Sequence, residues 1–338
     1  MERVATQAPE LVRIDVHLRD GALASFADDV RKGLLRQPRE IPPKYFYDAR
    51  GSELFEQITA LPEYYPAQVE QDILDAAGQL IVERAEPEEI VELGPGSARK
   101  TTALLDPMVA LGLGSRYIPF DVSESAVQDC AERLVSRYES LAVHGVVGDF
   151  ERHLDRIPQR SGRRLIAFLG GTIGNLDHPR RSVLLRVLRK QLAPEDRLLV
   201  GADLVKDRDR LEAAYNDSAG VTAEFNRNML RVINTNLDGD LDPERFDHVA
   251  FYNEHARRVE MWLRAREGMS ARIGALGMDV DFEAGEEMRT EISCKFTRES
   301  LEREYRAAGL EPLGWYTDPE EQFALSLTGP ARSDTDPS

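Results

Sequence analysis

Apolar positions recur at helical spacing from Leu23 to Leu35, and the run Gln37-Pro38-Arg39-Glu40-Ile41-Pro42-Pro43 then breaks the pattern. Lys44 to Ser52 is a polar-aromatic stretch that reads as a loop. Glu53 to Ala60 predicts a short helix that stops before Leu61-Pro62, and Pro66 to Ala85 a long amphipathic helix with proline in its first turn.

The middle of the chain alternates. Short apolar runs at 89–93, 116–121, 143–147, 164–169 and 197–202 predict strands, and helical patterns lie between them at 98–105, 123–138 and 179–191, the second capped by Ser123. Strand-helix alternation at this spacing predicts a parallel sheet covered on both faces. It stops after the fifth strand. Residues 207–237 read as helix, 246–252 and 257–264 as strands, and 269–296 as strand-rich with glycine turns. A helix over 297–308, closed by Gly309, brings the earlier pattern back, and 313–316 with 323–327 form a closing antiparallel pair. The expected architecture is α/β, a Rossmann-like core of residues 66–204 and 296–328. A second, discontinuous α+β domain is built from residues 11–65 and 205–295, and residues 1–10 and 329–338 are polar tails.

Composition narrows the partners. The 338 residues carry 43 basic against 60 acidic side chains, a net charge of −17, which repels nucleic acid and anionic membranes. Two cysteines far apart give neither a disulfide framework nor a CxxC site, and no apolar run approaches the length of a membrane span, so a cytoplasmic protein is expected. It is also expected to act as a monomer. The six histidines show no metal-ligand spacing, and no Ser/His/Asp or Cys/His set stands out, so no metal is expected.

The chemistry collects at strand ends. Val91-Glu92-Leu93-Gly94-Pro95-Gly96-Ser97 sets Gly-x-Gly after a buried strand, where two glycines let the backbone turn tightly and come close to a ligand. Arg99 stands where a dinucleotide fingerprint needs its third glycine, so a pyrophosphate grip is not supported. The acidic-Leu-Gly-x-Gly form resembles that of class I methyltransferases, whose ligand S-adenosylmethionine carries a sulfonium and a carboxylate instead of phosphates. Asp121 ends the second strand, suited to ribose hydroxyls, and Asp149-Phe150 follows the third, an acid and an aromatic flank for adenine. Lys100, read as lying in the first turn of the next helix, suits the ligand's carboxylate. After the fourth strand, Phe168 to Leu176 brings three glycines and Asn175 to the end that faces the transferable methyl.

Ile41 to Asp48, Leu61 to Pro66, Phe168 to Leu176, Val259-Glu260-Met261 and Met288 to Phe296 resemble, in order and spacing, the histidine-specific S-adenosylmethionine-dependent family, the histidine N-α-methyltransferases of ergothioneine biosynthesis. The resemblance spans roughly residues 20 to 328. It implies trimethylation of the α-amine of L-histidine to hercynine, with S-adenosylmethionine as the methyl donor and no metal. It also implies site roles. Gly94, Gly96, Lys100, Asp121, Asp149 and Phe150 would hold the cofactor. Asn175 and Tyr215 would bind the carboxylate and amino end, and Tyr64, chosen over Tyr65 by counting, would sit near the reacting amine. Glu291 and Ser293 would read the imidazole and Met261 would pack against it. Taken alone, Glu291 and Ser293 are alternate polar residues on a strand, a pattern that ordinarily marks a solvated face. Trp262 has no reading. Another amino acid or amine as substrate, a protein substrate, and a cofactor-binding protein without activity remain open at this point.

Overall fold

The computed structural model describes residues 11–18, 22–96 and 98–332; the expected tail 1–10, residues 19–21, Ser97 and residues 333–338 of the other expected tail lie outside the described residues. The chain opens with β1 (Val12–Val16), α1 (Ala22–Leu35), β2 (Arg39–Glu40), a 3-10 turn over Pro43–Phe46, α2 (Ala49–Thr59) and α3 (Tyr65–Ala85). The alternating region follows as β3 (Glu89–Leu93), α4 (Thr102–Ala110), β4 (Arg116–Asp121), α5 (Glu124–Arg137), β5 (Ala142–Val147), β6 (Arg164–Phe168), α6 (His178–Gln191) and β7 (Arg197–Asp203). After α7 (Arg208–Tyr215) and α8 (Val221–Leu237) come β8 (Phe246–Asn253), β9 (Arg258–Ala265), β10 (Met269–Ile273), β11 (Met278–Phe282) and β12 (Glu287–Cys294). The chain closes with α9 (Arg298–Ala307), β13 (Leu310–Thr317) and β14 (Phe323–Pro330).

The larger sheet has the order β1-β5-β4-β3-β6-β7-β14-β13. Its first six strands are parallel, and β14 and β13 close it antiparallel. β3 is buried along its whole length, as a central strand covered by helices on both faces must be. The order reverses about β3, so the crevice for a ligand opens beyond the carboxyl ends of β3, β4, β5 and β6. This is the α/β class I methyltransferase fold. A smaller sheet, β2-β12-β9-β8, and the β10-β11 hairpin share a second core with α1, α2 and α8, where Leu34, Phe46, Phe225, Ile233 and Leu263 are buried. Among the described residues no helix is long and apolar enough to cross a membrane.

Several boundaries depart from the expected ones, each for a local reason. Val12–Val16 pairs with β5 in the larger sheet, so the N-terminal segment starts in the core before it enters the second unit. The helix expected from Glu53 starts at Ala49, because the Asp48 side chain caps it by accepting from the Gly51 amide at 2.7 Å. The helix expected from Ala98 starts at Thr102, so Lys100 stands in the preceding turn. The span 207–237 is two helices. It breaks before Gly220, which adopts φ 74°, and the Asp217 carboxylate takes the amides of Val221 and Thr222. β14 runs on to Pro330, so Gly329 and Pro330 belong to the sheet and not to a tail.

Candidate active site

A cavity of about 800 Å³ opens where the two units meet, and every residue singled out from the sequence lines it. On the core side, the amide of Gly94 donates to the Phe120 carbonyl at 2.8 Å, which pins the glycine turn beside β4. Gly94 and Gly96 hold φ of 70° and 51°, and a Cβ built on either would meet nothing within 4 Å, so the turn presents open backbone to the cavity. The Asp121 carboxylate accepts from the amides of Ser123 at 3.0 Å and Gly96 at 3.4 Å. Burial pushes its carboxyl above the usual range, against those donors.

Asp149 accepts from the Glu151 amide at 2.9 Å and from Lys44 Nζ at 3.0 Å, and Phe150 packs edge-on against Phe168 with ring centres 5.3 Å apart. Lys100 Nζ donates to Glu70 at 2.5 Å. This side combines an open turn, two strand-end carboxylates, an aromatic ring and one lysine. It fits a nucleoside carrying a carboxylate and a positive centre.

On the other side, β12 and β9 lie antiparallel with Glu291 opposite Met261. The register shifts between Arg289 and Glu291, and Thr290 turns inward to donate to Asn226 at 2.6 Å. A bulge of this kind re-aims the residues after it. Here Glu291 and Ser293 point into the cavity instead of to solvent. The loop after β6 is pressed against β12: a Cβ on Gly174 would lie 2.8 Å from the Cys294 carbonyl. That closeness brings the Asn175 amide to Glu291. Burial pushes the Glu291 carboxyl up to about 7, opposed by the charge of Lys295 and the Asn175 hydrogen bond.

Tyr64 immediately precedes α3 and lines the cavity. Tyr65 turns away, and its hydroxyl donates to Asp203 at 2.8 Å. Tyr215, at the end of α7, donates to Ser293 Oγ at 2.8 Å and stands edge-on to Tyr64 with centres 6.2 Å apart. Phe55 and Tyr47 extend this aromatic wall. Trp262, unread from the sequence, alternates with Met261 onto the opposite face of β9. There it donates to Glu260 at 3.1 Å, with the Arg289 guanidinium 5.6 Å from its ring centre.

Four groups in or behind the walls escaped the sequence, with Asp203 in the lining itself. Glu70 accepts from Lys100 and the Gly170 amide, and Asp203 gathers Tyr65, Lys206 and Lys295. A signal existed for Glu70, an acid on the same helical face as Pro66, Ile73 and Leu74, and for Asp203, an acid at a strand end. Nothing local marked Lys206 or Lys295. Among the described residues no group of three or more His, Cys, Asp or Glu is placed to hold a metal ion.

A family model described as histidine-specific methyltransferase, SAM-dependent, matches residues 26–330. The chain is 49% identical over 308 residues to histidine N-alpha-methyltransferase of Mycolicibacterium smegmatis, covering 91% of this chain and 96% of that protein. It is 47% identical over 317 residues to the protein of the same name from Mycobacterium tuberculosis, covering 94% and 98% respectively. Ergothioneine biosynthesis protein 1 of Neurospora crassa is 29% identical over 305 residues, 87% of this chain and 34% of that protein.

Proposed function

The chain belongs to the histidine-specific, S-adenosylmethionine-dependent methyltransferase family, and from that premise we propose that it methylates the α-amino group of L-histidine, carrying it to hercynine. The observation that carries this reading is the shared cavity. Gly94, Asp121 and Asp149 open into it from one side, and Asn175, Glu291 and Ser293 from the other.

When bound, S-adenosylmethionine supplies a methyl group on a positively charged sulfur, an electrophile that needs only a correctly placed lone pair. Asp121 and Asp149 suit the ribose hydroxyls and the adenine amine, Phe150 flanks the ring, and the open turn at Gly94 and Gly96 admits the ligand's backbone-facing edge. Lys100 suits the carboxylate. At the other end, the Asn175 amide and the hydroxyls of Tyr64 and Tyr215 orient the amino-acid end. The proton of the α-ammonium leaves to water, so no protein base is required. Tyr47, Phe55 and Tyr64 wall the cavity with aromatic surface, which accommodates a growing methylammonium better than a carboxylate would. Glu291 meets a different need, the N–H of the imidazole, and a substrate without that N–H leaves the carboxylate unpaired.

Incubation with L-histidine and S-adenosylmethionine, followed by mass spectrometry, tests this directly. Mono-, di- and trimethylated histidine are expected in succession. Methylation of another amino acid in a parallel panel, with histidine untouched, would move the substrate within the family. Binding of the demethylated cofactor without turnover of any amine would leave a cofactor-binding protein.

A further inference from the structure

Lys295 lies one residue beyond β12, beside the bridge between Leu204 and Phe296 that ties the smaller sheet to β7. Its side chain is fully buried. Nζ donates to Asp203 Oδ2 at 2.7 Å, to Ser293 Oγ at 2.8 Å and to Tyr215 Oη at 3.1 Å. An ammonium has three donors and no acceptor, so these bonds use it completely. Its counter-ion is secure: burial pushes the Asp203 carboxyl up, but Lys295 and Lys206 together hold it below the usual range.

The consequence falls on Ser293. Its Oγ accepts from Lys295 and, at 2.8 Å, from Tyr215. A hydroxyl oxygen has two lone pairs, and both are taken. Only the O–H remains, and Ser293 lines the cavity, so this hydroxyl faces a ligand as a donor alone. Two residues earlier on the same face, Glu291 presents a carboxylate. One strand therefore offers a fixed donor beside an acceptor.

We infer that Lys295 is a specificity-determining residue: by filling the acceptor capacity of Ser293, it makes β12 select a ring with one lone-pair nitrogen and one N–H. That pattern belongs to the neutral imidazole. A pyrrole or indole ring has no lone pair to meet the Ser293 proton, and an imidazolium has an N–H where the site also has one. The inference rests on the histidine reading above and deepens it. Lys295 touches no substrate atom; it acts through Ser293.

The test compares kcat and KM for L-histidine and for β-(pyrrol-2-yl)-L-alanine, which keeps a ring N–H and lacks the lone pair. The unaltered protein is expected to favour histidine by about 100-fold or more in kcat/KM, since a site built to pair a polar ring group rejects the analogue lacking it. Ser293→Ala and Lys295→Met are each expected to shrink that preference to within about tenfold, chiefly through the histidine KM. Adding Lys295→Met to Ser293→Ala is expected to change the preference no further. Lys295→Arg, which keeps a donor-only cation, is expected to retain it. If Lys295→Met does not fold, the pair Asp203→Asn with Lys295→Met removes the cation together with its counter-ion and replaces it, with Lys206 still held by the Tyr65 hydroxyl and the Leu204 carbonyl. Equal use of the two substrates by the unaltered protein, or an undiminished preference in Ser293→Ala or Lys295→Met, overturns the inference. Failure to methylate histidine at all overturns the histidine reading instead.

Discussion

Glu70 on α3 holds the backbone amide of Gly170 with both carboxylate oxygens, at 2.8 and 2.9 Å, while the same carboxylate takes Lys100 at 2.5 Å. Gly201 on β7 makes the room, since a Cβ there would come within 2.1 Å of Glu70 Oε1. One fully buried acid thus joins the turn before α4 to the loop that carries Asn175. Truncating it strands the amide and uncouples the lysine. Glu70→Ala is expected to cost about 1–3 kcal/mol in urea unfolding, the range for losing hydrogen bonds to a charged group, because Lys100 is left on the cavity wall with a quarter of its side chain exposed. It is also expected to lower kcat/KM for histidine by up to about 100-fold through displacement of Asn175. Glu70→Gln keeps an oxygen for the Gly170 amide and should recover part of the stability. An alanine variant as stable and active as the parent would remove the tie from both roles.

Glu291→Ala is expected to raise the histidine KM by at least about tenfold with kcat changed far less, because the carboxylate meets the ring and not the reacting amine. Steady-state rates across histidine concentrations measure the split. Unchanged histidine kinetics would take Glu291 out of the site.

Much of this arrangement was legible in the sequence because its signals are local. Gly94, Asp121 and Asp149 sit at the ends of apolar runs, and strand-end placement follows from counting alone. Glu291 and Ser293 were different. Their period-two spacing equally describes a wet face, and only the resemblance spoke for the cavity. The bulge at Thr290 and the pressure of Gly174 on Cys294 turn them inward, and neither is written in a periodicity. Lys295 and Asp203 find each other across 92 positions, and Glu70 and Gly170 across 100, distances over which one sequence carries no pairing signal. β1 was missed for another reason. Five residues alternating apolar and charged beside a polar terminus look like a loop until β5 supplies the partner edge.

The Glu291 carboxyl, raised by burial from the ordinary 4.5 to about 7, gives two pH effects of opposite sign. The folded protein without ligand keeps a proton that the unfolded chain releases at lower pH. The stability this confers is complete below about pH 4.5 and is lost as pH rises through about 7. Glu291→Gln abolishes that loss, so its unfolding free energy should gain on the parent's between about pH 5 and about pH 8. Histidine needs the ionised acceptor, so its kcat/KM should rise with pH over the same span, one proton more steeply in the parent than in the variant. Parallel profiles would show that Glu291 does not titrate in the site.

Gly94→Ala separates backbone strain from lost ligand space. At φ 70° an alanine costs about 1–2 kcal/mol wherever it stands, and its Cβ would meet no protein atom within 4 Å. Gly112→Ala, at φ 63° with the same open surroundings, is the control for strain. Both are expected to lose similar stability. Only Gly94→Ala is expected to weaken binding of S-adenosylhomocysteine, by at least about tenfold in calorimetry. Equal affinities in the two variants would place the nucleoside elsewhere.

Tyr64 and Tyr65 stand next to each other, but the start of α3 divides them: Tyr64 is the non-helical cap with ψ 72°, and Tyr65 is the first helical residue. Their side chains therefore diverge, one into the cavity and the other down to Asp203, where it shares the carboxylate with Lys206 and Lys295. Removing each hydroxyl should give opposite outcomes. Tyr65→Phe takes a donor from a buried carboxylate and is expected to cost about 1–3 kcal/mol in urea unfolding. Tyr64→Phe touches no buried partner of that kind and is expected to stay within about 0.5 kcal/mol of the parent. Its kcat/KM for histidine should fall about tenfold, through looser orientation of the amine. The reverse assignment, with Tyr64→Phe unstable but fully active and Tyr65→Phe stable but impaired, would exchange the two tyrosines' roles. It would also leave the Asp203 cluster without its link to α3.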